Sequence, residues 1–135
     1  NPNVTYQQPT TTWTAHLQLR YELPMGIGTA VNYAAQSGWP YSRIISASLP
    51  NAGTVTFFEN NLSGARADNL HQLALRVDKS FKRGSALKVT TMLDIFNAMN
   101  SNVVTNWNVL NGANFNKINA VLDPRVIQLG FRVEF

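Results

Sequence analysis

Residues able to carry out catalysis or to bind a metal are few in this sequence, and they lie far apart. The 135 residues include no cysteine, and the two histidines, His16 and His71, have no second ligand at a metal-binding spacing. Metal sites and nucleophilic catalysis both depend on His, Cys, Asp or Glu side chains at short, defined intervals. We therefore predict no metal site and no cofactor.

The carboxylates of Asp78 and Asp94 form the one arrangement that could serve acid/base chemistry. Both are predicted to point to the same side of adjacent strands. Acid/base catalysis also needs a cleft that perturbs the pKa values of its groups, and the sequence gives no sign of one. Because Arg20, Arg76 and Lys88 are predicted on the same side, we expect a network of ion pairs and do not predict an enzyme.

An Asn-rich segment, residues 97–123, is the better candidate for binding a ligand. Trp107 and Phe115 could stack on a sugar or a peptide, and Asn108 and Asn114 could hydrogen-bond it. Asn side chains also stabilise local turns, so a plain surface hairpin is the alternative. These four residues are the candidate ligand loop, and the sequence leaves both interpretations open.

Most of the chain's remaining polar side chains lie on stretches in which apolar and polar residues alternate. In the last stretch Ile127, Leu129, Phe131, Val133 and Phe135 share one side, and the residues between them, such as Gln128 and Arg132, share the other. Successive side chains of a strand point to opposite sides of its sheet, so this pattern predicts a strand with one apolar side. Four further long strands are predicted at residues 13–23, 27–36, about 68–81 and 87–95, with a short hairpin at 43–48 and 54–58.

The composition favours a sheet with lipid on one side and water on the other. Charged residues make up 13% of the chain, against about 25% in average proteins, and Asn, Thr, Ser and Gln supply the polarity instead. The net charge is +4, but Lys and Arg are scattered, so we predict no nucleic-acid partner. The predicted lipid-facing residues are Leu17, Leu19, Tyr21, Val31, Tyr33, Leu73, Leu75, Leu87, Val89, Leu93 and Ile127.

Short and long connections alternate between these strands. The turns after Leu23 and Phe81 take a few residues, whereas more than twenty follow Gln36 and Ile95. Short periplasmic turns, long extracellular loops and aromatic residues at both interfaces are typical of outer-membrane barrels. The fold class predicted is all-β: an antiparallel up-and-down meander of about five long strands, part of a transmembrane β-barrel in the bacterial outer membrane.

Four segments carry a resemblance to a known family. They are residues 36–41 (QSGWPY), 75–81 (LRVDKSF), 94–100 (DIFNAMN) and 123–130 (DPRVIQLG), the last running on to Phe135. In order and spacing they resemble the C-terminal end of a TonB-dependent outer-membrane receptor barrel, particularly the Oar-like group with a carboxypeptidase-regulatory-like domain. The resemblance covers about residues 13–135; in 75–81 the family's Asp is shifted or replaced.

The resemblance implies that residues 1–135 form the C-terminal portion of a TonB-dependent transporter barrel without its plug and its N-terminal strands. Five strands cannot close a barrel, because bacterial single-chain barrels begin at about eight strands and this class has about twenty-two. The implied partners are outer-membrane lipid, the remainder of the barrel and plug from the same or another chain, and TonB through the missing part. The terminal strand resembles the signal read by the barrel assembly machinery, with Leu129, Phe131, Val133 and Phe135 carrying it.

Two alternatives predict different surroundings for the apolar side chains. A secreted soluble β-sandwich that binds glycan or peptide through its Asn-rich loop would pack them in a dry core between two sheets. A small pore built from several copies would leave them in lipid. The residues that discriminate sandwich from barrel are Leu17, Leu19, Leu73, Leu75, Leu129 and Phe131.

Overall fold

The structure, a computed structural model, describes residues 10–59, 65–84 and 87–135, which divide into two compact units. The first unit is a five-stranded sheet, and the second is built from the described parts of residues 37–69 and 103–122 together with residues 10–13. The strands are β1 Thr14–Leu23, β2 Ile27–Gln36, β3 Ile44–Leu49, β4 Gly53–Phe58, β5 Leu70–Arg83, β6 Leu87–Phe96, β7 Val104–Trp107, β8 Ile118–Val121 and β9 Val126–Glu134.

The larger sheet has the strand order β1-β2-β5-β6-β9, and every neighbouring pair is antiparallel. The five long strands therefore form the predicted up-and-down meander, and the all-β prediction is confirmed. Residues favoured in strands, such as Val, Ile, Thr, Tyr and Phe, recur along them. Within the described residues the sheet is open, with β1 and β9 as its two edges.

The short connections lie where they were predicted, at one end of the sheet. Pro24–Gly26 forms a tight turn between β1 and β2, in which Met25 and Gly26 both have positive φ, at 72° and 71°. The second turn was predicted from residue 82, but β5 continues to Arg83, because Lys82 pairs with Lys88 and Arg83 with Leu87. Residues 85 and 86 of that connection lie outside the described residues.

Several other strand boundaries differ from the prediction by one or two residues. β5 begins at Leu70 rather than near residue 68, and β9 ends at Glu134, so Phe135 lies just beyond the strand and is fully exposed. Alternation of side chains locates a strand well, but it does not fix the last hydrogen-bonded residue, which depends on the length of the neighbouring strand.

The second unit contains two small antiparallel hairpins. β3 and β4 pair from Ile44 with Phe58 to Leu49 with Gly53, as predicted, with Asn51 at φ 65° in the turn. β7 and β8 pair irregularly within the segment that was predicted to be one long loop. A surface hairpin was the alternative prediction for this segment, but the bounds of its two four-residue strands were not predicted, because an Asn-rich segment carries little alternation.

Buried apolar side chains are nearly absent from the described part of the chain. Ala35, at 5% exposure, is the one hydrophobic residue there that is buried, and no large side chain is fully buried. A soluble domain of this length ordinarily buries a substantial core. No helix among the described residues has the length and the apolar character needed to cross a membrane.

Candidate functional site

The register of the large sheet places odd-numbered residues opposite odd-numbered residues on all five strands. One row runs straight across it through Leu19, Val31, Leu75, Ile95 and Ile127. Because side chains alternate between the two sides of a sheet, every odd position of these strands belongs to one face. We call this the apolar face, and the face formed by the even positions the polar face.

The apolar face is exposed over much of its area. Leu19 is 57% exposed, Leu129 71% and Phe131 73%. Monomeric soluble proteins rarely expose contiguous apolar patches larger than a few hundred Å². All the side chains predicted to face lipid lie on this face: Leu17, Leu19, Tyr21, Val31, Tyr33, Leu73, Leu75, Leu87, Val89, Leu93 and Ile127. Their contact with lipid stays a prediction.

Lys79 is a charged residue on the apolar face. It lies between Ile27 and Thr91 in the register, towards the short-turn end of the sheet. Its Nζ is 5.3 Å from the centroid of the Phe81 ring. A lysine near the end of an apolar band can lay its methylene groups on that band and keep its ammonium at the polar boundary, so this position suits a lysine.

The polar face carries the sheet's ion pairs. Arg76 binds Asp94 through two hydrogen bonds, of which the one from Nη2 to Oδ2 measures 2.8 Å. Asp94 is only 8% exposed, so the guanidinium is the main partner of a carboxylate that has little water around it. A bidentate pair of this kind is both stronger and more directional than a single ion pair.

The second predicted carboxylate is held differently. Asp78 lies beside Arg20, with Nη1 and Oδ1 3.4 Å apart. Its carboxylate covers Gly28, where an added Cβ would come within 2.5 Å of Oδ2. Asp78 and Asp94 therefore each have their own arginine, an arrangement that suits structure rather than acid/base catalysis.

Lys88, predicted to join this network, does not reach either aspartate. It pairs with Glu134 directly across β6 and β9 at 3.0 Å, and Arg132 contacts the same carboxylate at 3.0 Å. Asp94 is six residues further along β6, roughly 20 Å at the rise of a strand. The ion pairs of the polar face therefore form separate clusters rather than the single network that was expected.

The described residues contain no group of three or more His, Asp or Glu side chains that could hold a metal.

Two asparagines of the 94–100 segment fasten β9 to the end of β6. Asn97, 7% exposed, donates from Nδ2 to the carbonyls of Ser101 (2.9 Å) and Asp123 (2.7 Å) and accepts from the Ser101 N–H (2.9 Å). Asn100 Oδ1 accepts from the Arg125 N–H at 3.1 Å. Both have positive φ, which asparagine tolerates better than most residues. Segments 94–100 and 123–130 are therefore in direct contact.

The 36–41 segment makes a comparably close contact in the second unit. Gly38 donates its N–H to Asn69 Oδ1 at 3.0 Å, and a Cβ on Gly38 would overlap the carbonyl oxygen of Ala67. Ala67 N–H donates to the Trp39 carbonyl at 3.0 Å. The glycine is needed here because two backbone segments approach each other more closely than any side chain permits.

The predicted ligand loop is only partly brought together. Trp107 lies at the end of β7 and meets the Tyr41 ring edge-on, with centroids 5.0 Å apart. Phe115 is instead covered by the Arg43 guanidinium, 4.4 Å from its ring centroid. Asn108 Oδ1 accepts from the Leu110 N–H at 2.9 Å, as in a local turn, and Asn114 contributes its carbonyl to the Lys117 N–H at 3.1 Å.

A cavity of about 260 Å³ lies beside Trp107 in the second unit. Tyr41, Arg66 and Asp68 line one side of it, and Trp107 and Asn116 line the other. Four of these five residues were not predicted as site residues. No local signal could have found them, because the two sides are more than thirty residues apart in sequence and meet only in the fold.

The fold and its two faces define an all-β protein whose main sheet is apolar on one side and charged on the other. No protein-family model, no curated protein and no solved structure matches the chain. The resemblance to TonB-dependent receptors therefore rests on the four segments themselves. The assembly role of Leu129, Phe131, Val133 and Phe135 likewise stays a prediction.

Proposed function

We propose that this chain forms five strands in the wall of a bacterial outer-membrane β-barrel, with the apolar face against lipid and the polar face against an aqueous lumen. The observation that carries the proposal is the apolar face itself. Its rows continue across all five strands, and its side chains reach 73% exposure at Phe131.

The cost of leaving this face in water supports the proposal. Burying one Leu, Val, Ile or Phe side chain fully is worth about 1.5–3 kcal/mol, and the face carries more than ten such residues. Net stabilities of domains are only about 5–15 kcal/mol, so a water-soluble chain could hardly leave so much apolar area exposed. If the apolar face is surrounded by lipid hydrocarbon, its side chains are not exposed to water and this free-energy cost does not arise.

The soluble sandwich alternative is less well supported. It requires all six discriminating side chains to be packed between two sheets. Leu17, Leu19, Leu129 and Phe131 are at least half exposed, and Leu73 and Leu75 are intermediate rather than buried. The ion pairs also favour a wet polar face. Arg76 and Arg20 keep 47% and 55% of their side chains exposed while binding carboxylates, as in a water-filled lumen.

The open edges of the sheet imply further strands. Backbone groups at an unpaired edge have no hydrogen-bond partner in hydrocarbon, where each costs several kcal/mol. We therefore infer that strands from the same or another chain pair with β1 and β9 and complete a closed barrel.

The particular class that we propose is a TonB-dependent transporter. The family-like segments supply the support: 94–100 and 123–130 meet through Asn97 and Asn100, and Gly38 of 36–41 sits in a contact that tolerates no side chain. In such a transporter a plug fills the lumen beside the polar face, and TonB acts on that plug from the periplasm. This chain would contribute wall, loops and assembly signal, without catalysis.

Fractionation of producing cells tests the membrane proposal. The protein should sediment with outer membranes and resist extraction by urea at alkaline pH. Recovery in the soluble or secreted fraction would refute it. If the membrane result holds, uptake assays in cells with and without TonB test the transporter class separately, because a barrel of another kind would not depend on TonB.

A further inference from the structure

The cavity beside Trp107 has two walls that are each held in place by backbone hydrogen bonds. On the first wall, Tyr41 N–H donates to the Ala65 carbonyl at 3.0 Å, which fixes residues 39–41 against 65–67. Arg66 extends over this pairing and donates to the carbonyls of Gly38 (3.3 Å) and Thr11 (2.6 Å). The wall is therefore built before any ligand arrives.

The second wall is the β7–β8 hairpin. Trp107 pairs with Ile118 across it, and the Asn116 N–H donates to the Asn108 carbonyl at 2.9 Å. Asn116 has a φ of 62°, a conformation in which asparagine is one of the best-tolerated residues other than glycine. The edge-on contact of Tyr41 with Trp107 joins the two walls and leaves both rings half-buried at the cavity.

The polar groups around the cavity are available for a ligand. The side chains of Asp68 and Asn116 are exposed, and neither makes a hydrogen bond or an ion pair with another described residue. A carboxylate accepts hydrogen bonds, and an amide both donates and accepts them. Arg66 keeps further N–H donors beyond the two used on carbonyls.

These features favour an uncharged ligand with many hydroxyl groups. Arg66 and Asp68 carry opposite charges on the same wall, so neither an anion nor a cation gains a net attraction from the pair. The volume of about 260 Å³ is just below the range of about 300–1,000 Å³ typical of drug-sized ligands, which suits a single ring. Aromatic rings offer an apolar surface to the C–H side of such a ring.

We propose that this cavity binds one pyranose ring of a neutral glycan. The sugar's C–H side lies on the Trp107 and Tyr41 rings, and its hydroxyls hydrogen-bond Asp68 and Asn116. Phe115, Asn108 and Asn114 take no part. The site goes beyond the proposed membrane function and does not depend on it, because every group belongs to the second unit.

Saturation-transfer NMR on the full chain tests this proposal. The probes are the methyl glycosides of glucose, galactose, mannose and N-acetylglucosamine, with a capped trialanine peptide and inorganic phosphate for comparison. At least one glycoside should bind saturably, with magnetisation entering one C–H side of its ring. Asp68→Ala should weaken that binding roughly ten- to a hundredfold, the loss typical of one hydrogen bond to a charged group.

Trp39→Ala is the matched control, because Trp39 is 66% exposed and does not line the cavity. It should leave sugar binding unchanged, whereas Trp107→Phe, which keeps an aromatic ring but a smaller one, should weaken it. Absence of sugar binding, binding that Asp68→Ala leaves intact, or binding of the peptide or phosphate alone would each overturn the proposal. None of these outcomes affects the fractionation result that tests the membrane function.

Discussion

Replacing Leu129 by arginine should destabilise the protein in a bilayer far more than replacing its neighbour Gln128 by arginine. The two residues are adjacent in β9, but the register puts Leu129 opposite Leu93 on the apolar face and Gln128 opposite Asp94 on the polar face. Leu129 is the fourth of nine residues in the strand, so it lies near the middle of the apolar band.

The expected difference follows from the cost of a charge in hydrocarbon. An arginine on the lipid face of a barrel costs about 2–4 kcal/mol at the bilayer midplane and about 0–1 kcal/mol near the interfaces. Leu129→Arg should therefore lower the folding equilibrium constant roughly 30- to 900-fold. Val133→Arg, on the same face but nearer the end of β9, should cost much less, and Gln128→Arg should cost about as little as a typical surface substitution.

Chemical unfolding in phospholipid bilayers, followed by tryptophan fluorescence, measures these differences on protein purified from membranes of producing cells. A larger loss of stability for Leu129→Arg than for Val133→Arg would indicate lipid contact, because the cost of an arginine on the lipid face depends on its depth in the bilayer. If the unfolding free energies of Leu129→Arg and Gln128→Arg fall within about 0.5 kcal/mol of each other, the apolar face does not meet hydrocarbon.

Three further substitutions test the contacts that hold the sheet and its loops. Arg76→Met should cost about 1–3 kcal/mol of unfolding free energy, because it leaves the mostly buried Asp94 carboxylate unpaired; an unchanged denaturation midpoint would contradict this. Asn97→Ala removes three hydrogen bonds and should cost about 2–4 kcal/mol, against little for the exposed Asn102→Ala, and hydrogen exchange at the start of β9 should rise with it. Gly38→Ala would drive a Cβ into a backbone carbonyl, so limited proteolysis should cut the second unit faster; equal cleavage rates would argue against the close approach.

The five long strands could be predicted because their signal is local. Alternation with a period of two appears in each strand separately, and the short turns carry their own Pro, Gly and charged residues. The division of side chains between the two faces could be predicted as well. A shift of one residue in the register of a strand would move all its side chains to the opposite face, so the alternation fixes which face each residue belongs to. The ends of β5 and β9 were less certain, because they depend on the partner strand rather than on their own pattern.

The ion pairs were predictable only as far as the register could be estimated. Arg76 and Asp94 face each other directly across β5 and β6, so knowing the face and the approximate register was enough. Lys88 could not be assigned in this way. Its partner, Glu134, lies on β9, and only the observed pairing of β6 with β9 brings the two together.

Most residues of the candidate ligand site could not be predicted from local sequence patterns. Trp107 was predicted, but its neighbours Tyr41 and Asp68 come from a distant part of the chain, joined through backbone pairing that leaves no periodic pattern. Phe115 was predicted from its type alone, and Arg43 covers it instead. A residue's chemistry suggests what it could bind, whereas the fold decides whether it is free to do so.

Lipid-phase labelling of single cysteines measures directly which face of the sheet meets hydrocarbon, and the absence of native cysteine makes the variants unambiguous. Leu19→Cys and Leu129→Cys are compared with Gln18→Cys and Gln128→Cys in membranes of producing cells, using one hydrocarbon-soluble and one water-soluble thiol reagent. If the apolar face meets lipid, the two odd-numbered positions should react with the hydrocarbon-soluble reagent and the two even-numbered positions with the water-soluble one. The same reactivity at all four positions, or reaction of Leu19→Cys and Leu129→Cys only from water, would contradict it.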